Sequence, residues 1–129
     1  MSKEHADLLR EMYGRRTLEE FAESLHPEAE LHQASVAPDT DEYYGREEFL
    51  RGTRRWNEEW DRLRYIPEEV TDLGERVLLR VRLVGRGKAS GAKVDLTAFH
   101  LWMFREGMPW RCEIFADEAV ALEAARKVE

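Results

Sequence analysis

The sequence predicts an α+β domain in which helix-like segments come first and a long antiparallel meander follows. Three observations carry this reading. Up to about residue 63, apolar side chains recur at three- and four-residue steps. After residue 75 the period changes to two. Glycine-marked bends, GRGKASG and Glu106-Gly107, then separate three strand-like runs, Glu75 to Arg86, Ala92 to Arg105 and Met108 to Ala116. Helices preceding a curved antiparallel sheet make a shape that encloses a pocket.

The elements follow in order. Leu8, Leu9 and Met12, with His5 one turn earlier, mark a first amphipathic helix that Gly14 ends. Thr17 and Glu20 have capping-box spacing, and Leu18, Phe21, Ala22 and Leu25 continue at helical period until His26-Pro27. Glu28 to Gln33 alternates as a short first strand and leads into an irregular ASVAPDTDEYYG segment. From Arg46 to about Leu63 a third helix places Phe49, Trp56, Trp60 and Leu63 on one stripe. Arg64 to Thr71 reads as a strand whose Pro67 favours an edge. Asp117 can cap a short last helix with Ala119, Leu122 and Ala125 along one face.

Composition bounds the function. At 129 residues the chain fits one domain, residues 1–129, able to bury a core without disulfides or metal. Its single cysteine, Cys112, and the lack of an apolar stretch in MSKEHADLL point to a reducing cytoplasm. The longest uncharged run in the meander, Leu96 to Phe104, has nine residues, against roughly 20 for a spanning helix. Residues 1 to 45 hold four Lys/Arg and eleven Asp/Glu, which accounts for the net charge of −7. An acidic chain of this kind argues against nucleic acid and membrane surfaces as partners.

Alternation divides the meander into two faces. Val77, Leu79, Val81 and Leu83 oppose Arg80 and Arg82, and Trp110, Cys112 and Ile114 oppose Arg111, Glu113 and Phe115. The middle strand is apolar on both sides, with Thr97, Phe99, Leu101 and Met103 against Ala98, His100, Trp102 and Phe104. A strand of this type is expected to be covered on both. The helices can cover only one side, so a second copy of the chain is expected on the other.

The strings LHPEAELH, YYGREEF, RVRLVGRGKASG, HLWMFREG and IFADEAVALEAA, in this order over nearly the whole chain, resemble the SnoaL-like family within the nuclear transport factor 2-like superfamily. The resemblance implies a cone: a curved, mostly antiparallel sheet whose concave face is closed by three N-terminal helices, with dimers commonly formed through the convex face. It also implies polyketide cyclases, ketosteroid-isomerase-type enzymes and proteins of no assigned reaction among the relatives. In ketosteroid-isomerase-like relatives a carboxylate base, a helix tyrosine and a carboxylic acid on the sheet do the chemistry. Those positions fall at Gln33, Leu9 and Phe99 here, and no residue type matches, which argues against steroid isomerisation by that arrangement.

With Phe99 and Leu101 turned toward the cone, Gln33, Tyr44, Trp56, Trp60, Thr97, Phe99, Leu101 and Ile114 are the expected pocket lining. Asp95 shares their parity and is the candidate catalytic base, although its place beside the hairpin favours a solvated rim. Arg80, Arg82, His100, Trp102, Arg111, Glu113 and Phe115 then form the expected dimer interface, a mixture of aromatic and charged groups suited to one. Glu30 and His32 point the same way, opposite to Leu31 and Gln33, which favours a surface or dimer-contact role over catalysis. No metal-ligand spacing emerges and no cofactor is expected. Cys112 reads as a small buried hydrophobe.

The function expected is binding of a small apolar or aromatic molecule in the cavity, with cofactor-independent isomerase- or cyclase-type chemistry as one form and a non-catalytic binding or scaffold protein as the alternative. The first requires an ionisable side chain deep in the cavity.

Overall fold

The computed structural model describes residues 2–15, 17–33 and 42–126. In chain order the elements are α1 (Ser2–Tyr13), α2 (Leu18–Ala22), β1 (Glu30–His32), β2 (Glu42–Tyr44), α3 (Arg46–Asn57), β3 (Trp60–Asp72), β4 (Arg76–Gly87), β5 (Lys93–Arg105), β6 (Met108–Phe115) and α4 (Glu118–Arg126). The six strands form one sheet in the order β2-β1-β6-β5-β4-β3. All pairs are antiparallel except β1 with β6. This is the α+β architecture that the order of periodicities predicts.

Local chemistry sets the boundaries. The Thr17 side chain accepts from the Glu20 amide at 3.0 Å, and the Glu20 carboxylate accepts from the Thr17 amide at 3.1 Å, so the capping box is complete. Glu106 and Gly107 both have positive φ, 55° and 77°, as a two-residue type I′ hairpin turn requires. Asp117 caps α4 through the amides of Ala119 and Val120. Gly52 is set by packing: a Cβ there would lie 2.6 Å from the buried ring of Tyr43, so α3 approaches β2 only with glycine at this position.

Three expectations are corrected. The third helix ends at Asn57, and Trp60 and Leu63 belong to β3, where an edge strand with two register shifts replaces the helical stripe. The end of the segment read as irregular forms β2, while its residues 34–41 lie outside the described residues. The convex side of the sheet carries the chain's own α4, not only open surface. Leu78, Phe99, Leu101 and Phe115 pack there with Ala121 and Ala125 as a second core, separate from the main one beneath α1, α2 and α3.

Candidate functional site

Between the three N-terminal helices and the concave sheet lies a cavity of about 540 Å³. Met12 and Tyr13 enter it from α1, Leu18 and Phe21 from α2, and Phe49, Thr53 and Asn57 from α3. The sheet contributes Leu31 of β1, Cys112 of β6, and His100 and Trp102 of β5. Leu63 to Pro67 of β3 complete the wall, with both parities present because β3 pairs only with β4 and offers its free edge to the cavity. The volume falls within the range of small-molecule sites, about 300–1,000 Å³.

His100 is the ionisable group deep in this space, and its setting follows from three hydrogen-bonding atoms. The Trp102 indole N–H donates to the Tyr13 hydroxyl oxygen at 2.9 Å. Tyr13 Oη and His100 Nδ1 are 2.6 Å apart. An indole nitrogen can only donate, so the phenol accepts from it and gives its own hydrogen to Nδ1. Nδ1 is then the acceptor of the imidazole and the ring proton resides on Nε2. Burial keeps all members of the network neutral: it lowers the His100 pKa to about 4 and raises that of Tyr13 well above the ordinary phenol value. A second phenol, Tyr65, donates to Asn57 Oδ1 at 2.6 Å and is likewise pushed up by burial. Burial also raises the Cys112 thiol, which is inert here as a small apolar wall group.

These positions overturn the expected lining. Phe99 and Leu101 are buried on the opposite face under α4, and Thr97 is exposed. Ile114 packs in the main core beside His100 without bordering the cavity, and Gln33 lies half-buried just past β1. Trp56 and Trp60 pack against one another with ring centroids 5.5 Å apart and planes tilted by 55°, outside the lining. Tyr44 is 56% exposed and hydrogen-bonds Glu42. Asp95 is exposed, paired with Arg82 through two hydrogen bonds of 2.8 and 2.5 Å that hold its carboxyl below the usual range. It is not in the cavity.

The expected interface divides as well. His100 and Trp102 line the cavity, and Phe115 is enclosed in the α4 core. Arg80 and Arg82 remain exposed, whereas Arg111 and Glu113, 3.3 Å apart, border a second cavity of about 310 Å³ under α4. The cause is one residue. From the Glu106-Gly107 turn the β5–β6 pairing begins with Arg105 opposite Met108 and Phe104 opposite Pro109, but Met103 faces Arg111, which leaves Trp110 as a bulge. Without it Trp102 would oppose Arg111 and share the outer face. With it Trp102 opposes Cys112, and His100 opposes Ile114.

Glu30 and His32 do point outward, opposite to Leu31. His32 is buried with Nε2 2.9 Å from Glu30 and Nδ1 2.9 Å from Glu42, and it ties β1 to β2. Among the described residues no three His, Cys, Asp or Glu side chains converge as a metal site requires. No helix among them is long and apolar enough to cross a membrane.

The sequence profile of the SnoaL-like domain matches residues 6–111. The chain belongs to the SnoaL-like domain family. Comparison with curated protein sequences returns no match. Among solved structures, a SnoaL-like polyketide cyclase, so described, from a Jannaschia species is similar at 17% identity and TM-score 0.77, covering 98% of this chain and 94% of that one. TerC co-crystallised with polyporic acid aligns at 18% identity and TM-score 0.75, over 96% and 99% of the two chains. A protein of ketosteroid-isomerase-like fold from Catenulispora acidiphila, in complex with trimethylamine, aligns at 9% identity and TM-score 0.73, over 95% and 98%. At these identities the likeness is one of fold.

Proposed function

We propose that this SnoaL-like protein binds a small, largely apolar or aromatic organic molecule in its concave cavity and acts on it by cofactor-independent acid–base chemistry of the isomerase or cyclase type. The observation that carries the proposal is the buried His100, hydrogen-bonded to Tyr13 inside a cavity otherwise lined mainly by Met12, Leu18, Phe21, Leu31 and Phe49. An ionisable group in that place is what separates the catalytic reading from the purely binding one. Two solved structures of the same fold, one with polyporic acid and one with trimethylamine, support a ligand in the cavity.

The chemistry available is that of a neutral imidazole. Nε2–H can donate to a carbonyl oxygen as negative charge develops on it, in a site whose low dielectric strengthens the bond. Nδ1 can accept a proton when the Tyr13 hydroxyl turns toward the substrate, and the Trp102 N–H remains to stabilise the phenolic oxygen. The helix tyrosine and the sheet donor sought at positions 9 and 99 are thus met one helical turn on, at Tyr13, and one residue on, at His100. In the same reading the outer face left open around Arg80, Arg82 and Thr97 is where a homodimer would form; a single monomeric mass by light scattering at micromolar concentration would remove that part.

A thermal-shift screen of aromatic and polyketide-like carbonyl compounds should give stabilising hits, because a ligand bound only by the folded state raises Tm. Proton NMR in D2O should then show exchange of C–H groups next to the carbonyl of a hit. His100→Gln should abolish that exchange and Tyr13→Phe should slow it about 100-fold or more, the usual scale of a lost acid–base group. Hits that bind without exchange, equally in wild type and His100→Gln, would transfer the protein to the non-catalytic class.

A further inference from the structure

We infer that the cavity selects a ligand with two carbonyl-type oxygens, one for His100 and a second for the side-chain amide of Asn57, with Asn57 as the specificity-determining residue and Tyr65 as the residue that orients it. This rests on the reading of the cavity as a ligand site. α3 presents Phe49, Thr53 and Asn57 to the cavity at steps of four residues, which places them on one face of the helix. Asn57 is the last residue of α3 and half-buried. Tyr65 of β3 stands opposite Leu83, a member of the main core, and so turns to the concave side with it. The Tyr65 ring centroid is 6.4 Å from that of His100, so the Asn57–Tyr65 pair and the catalytic imidazole border the same space.

An asparagine amide can meet a ligand with its oxygen or with its NH2 group. Here the oxygen is committed. The Tyr65 hydroxyl donates to Asn57 Oδ1 at 2.6 Å, and burial keeps the phenol in its hydrogen-bearing form. The Trp56 indole also bears on the phenol, and because an indole nitrogen only donates, it favours the phenol oxygen as an acceptor and leaves the phenol hydrogen for Asn57. What Asn57 can offer a ligand is therefore its NH2 group. One turn earlier, the Thr53 hydroxyl donates to the Phe49 carbonyl at 2.9 Å and does not compete for that role. The cavity thus carries a donor at His100 Nε2 and another at Asn57 Nδ2, in walls that include Leu18, Phe21 and Leu63. A ligand that brings only apolar surface to Asn57 strips its NH2 group of water and returns nothing, whereas a second carbonyl oxygen satisfies it.

Calorimetric titration of the intact protein with isosteric pairs tests this. One pair is 2,6-diacetylnaphthalene and 2-acetyl-6-isopropenylnaphthalene, in which CH2 replaces the second oxygen; 1,4-diacetylbenzene and 4-isopropenylacetophenone repeat the comparison over a shorter span. In at least one pair the diketone should bind about three- to tenfold more tightly than its monoketone, the scale of one net hydrogen bond. Asn57→Leu should abolish that ratio while the monoketone keeps its affinity. Asn57→Asp, which sets an acceptor where the donor stood, should reverse it. Tyr65→Phe should shrink it, because the amide is then free to turn its oxygen to the ligand. Equal binding within both pairs, a preference that survives Asn57→Asp, or a loss that falls alike on diketone and monoketone in Asn57→Leu overturns the inference and leaves the cavity reading intact. Failure of all four probes to bind wild type at millimolar concentration overturns the cavity reading and the inference with it.

Discussion

The two faces of β5 are equally buried and do different work. On one face His100 and Trp102 are 5% and 1% exposed; on the other Phe99 and Leu101 are 7% and 0% exposed. What lies beyond distinguishes them. Phe99 and Leu101 meet α4, whose Ala121 and Ala125 let the helix approach closely, and neither side chain borders a cavity. His100 and Trp102 meet a cavity, and His100 Nδ1 and the Trp102 N–H both find their partner in the Tyr13 hydroxyl. Burial alone identifies core; the facing partner decides whether a buried side chain supports the fold or is offered to a ligand.

The largest effect that could break this comparison is on the α4 side. Leu101→Ala should cost about 2–5 kcal/mol, because a packed layer relaxes only partly around a deleted side chain. The affinity for any cavity ligand should be unchanged, since Leu101 does not border the cavity. Urea unfolding and a titration with 2,6-diacetylnaphthalene read the two quantities separately. Weakened binding with unaltered stability would mean that the faces are exchanged.

On the cavity side the corresponding signature is a pH dependence. His100 has a folded pKa of about 4 against an ordinary 6.5, with burial as the cause. Between those values the unfolded chain binds the extra proton and the folded one does not, so stability rises with pH there. The contribution is complete above about pH 6.5 and is lost as pH falls to about 4, a swing on the order of 3 kcal/mol. Subtracting the unfolding free energies of His100→Gln from those of wild type at each pH isolates it from the other titrating groups. A difference that is flat between pH 4 and 6.5 would place His100 in contact with water.

Most of the fold was legible because its signals are local: a capping box at Thr17, a change of period after residue 75, and a two-residue glycine turn at Glu106-Gly107. The site was legible in its parts and not in its assembly. Val77, Leu79, Val81 and Leu83 carried an unambiguous inner face, and the connection Lys88 to Gly91 pairs Leu79 with His100 and Val77 with Trp102. Cross-strand partners share a face, so register from that hairpin would have turned His100 inward. Register counted from the other hairpin gives the opposite answer, because its bulge at Trp110 is invisible to simple alternation. Tyr13 was hidden for a different reason. It closes α1 just before Gly14, and its importance arises from contacts 87 and 89 residues away.

The smallest effect belongs to Asp95, the one carboxylate whose parity had suggested a base. It lies on the outer face opposite Val84, with its side chain 54% exposed and its partner Arg82 44% exposed. Solvent screens such a pair, and holding two side chains in one geometry offsets much of the attraction. Asp95→Ala should therefore leave both the urea midpoint and the ligand affinity within experimental error of wild type. Adding salt should leave the difference equally small. Deletion at Asp95 and deletion at Leu101 both fall on the convex face, yet only the second removes a contact that excludes water. A Asp95→Ala variant that lost exchange activity while His100→Gln retained it would move the chemistry from the cavity to the outer face and reverse the assignment of the two surfaces.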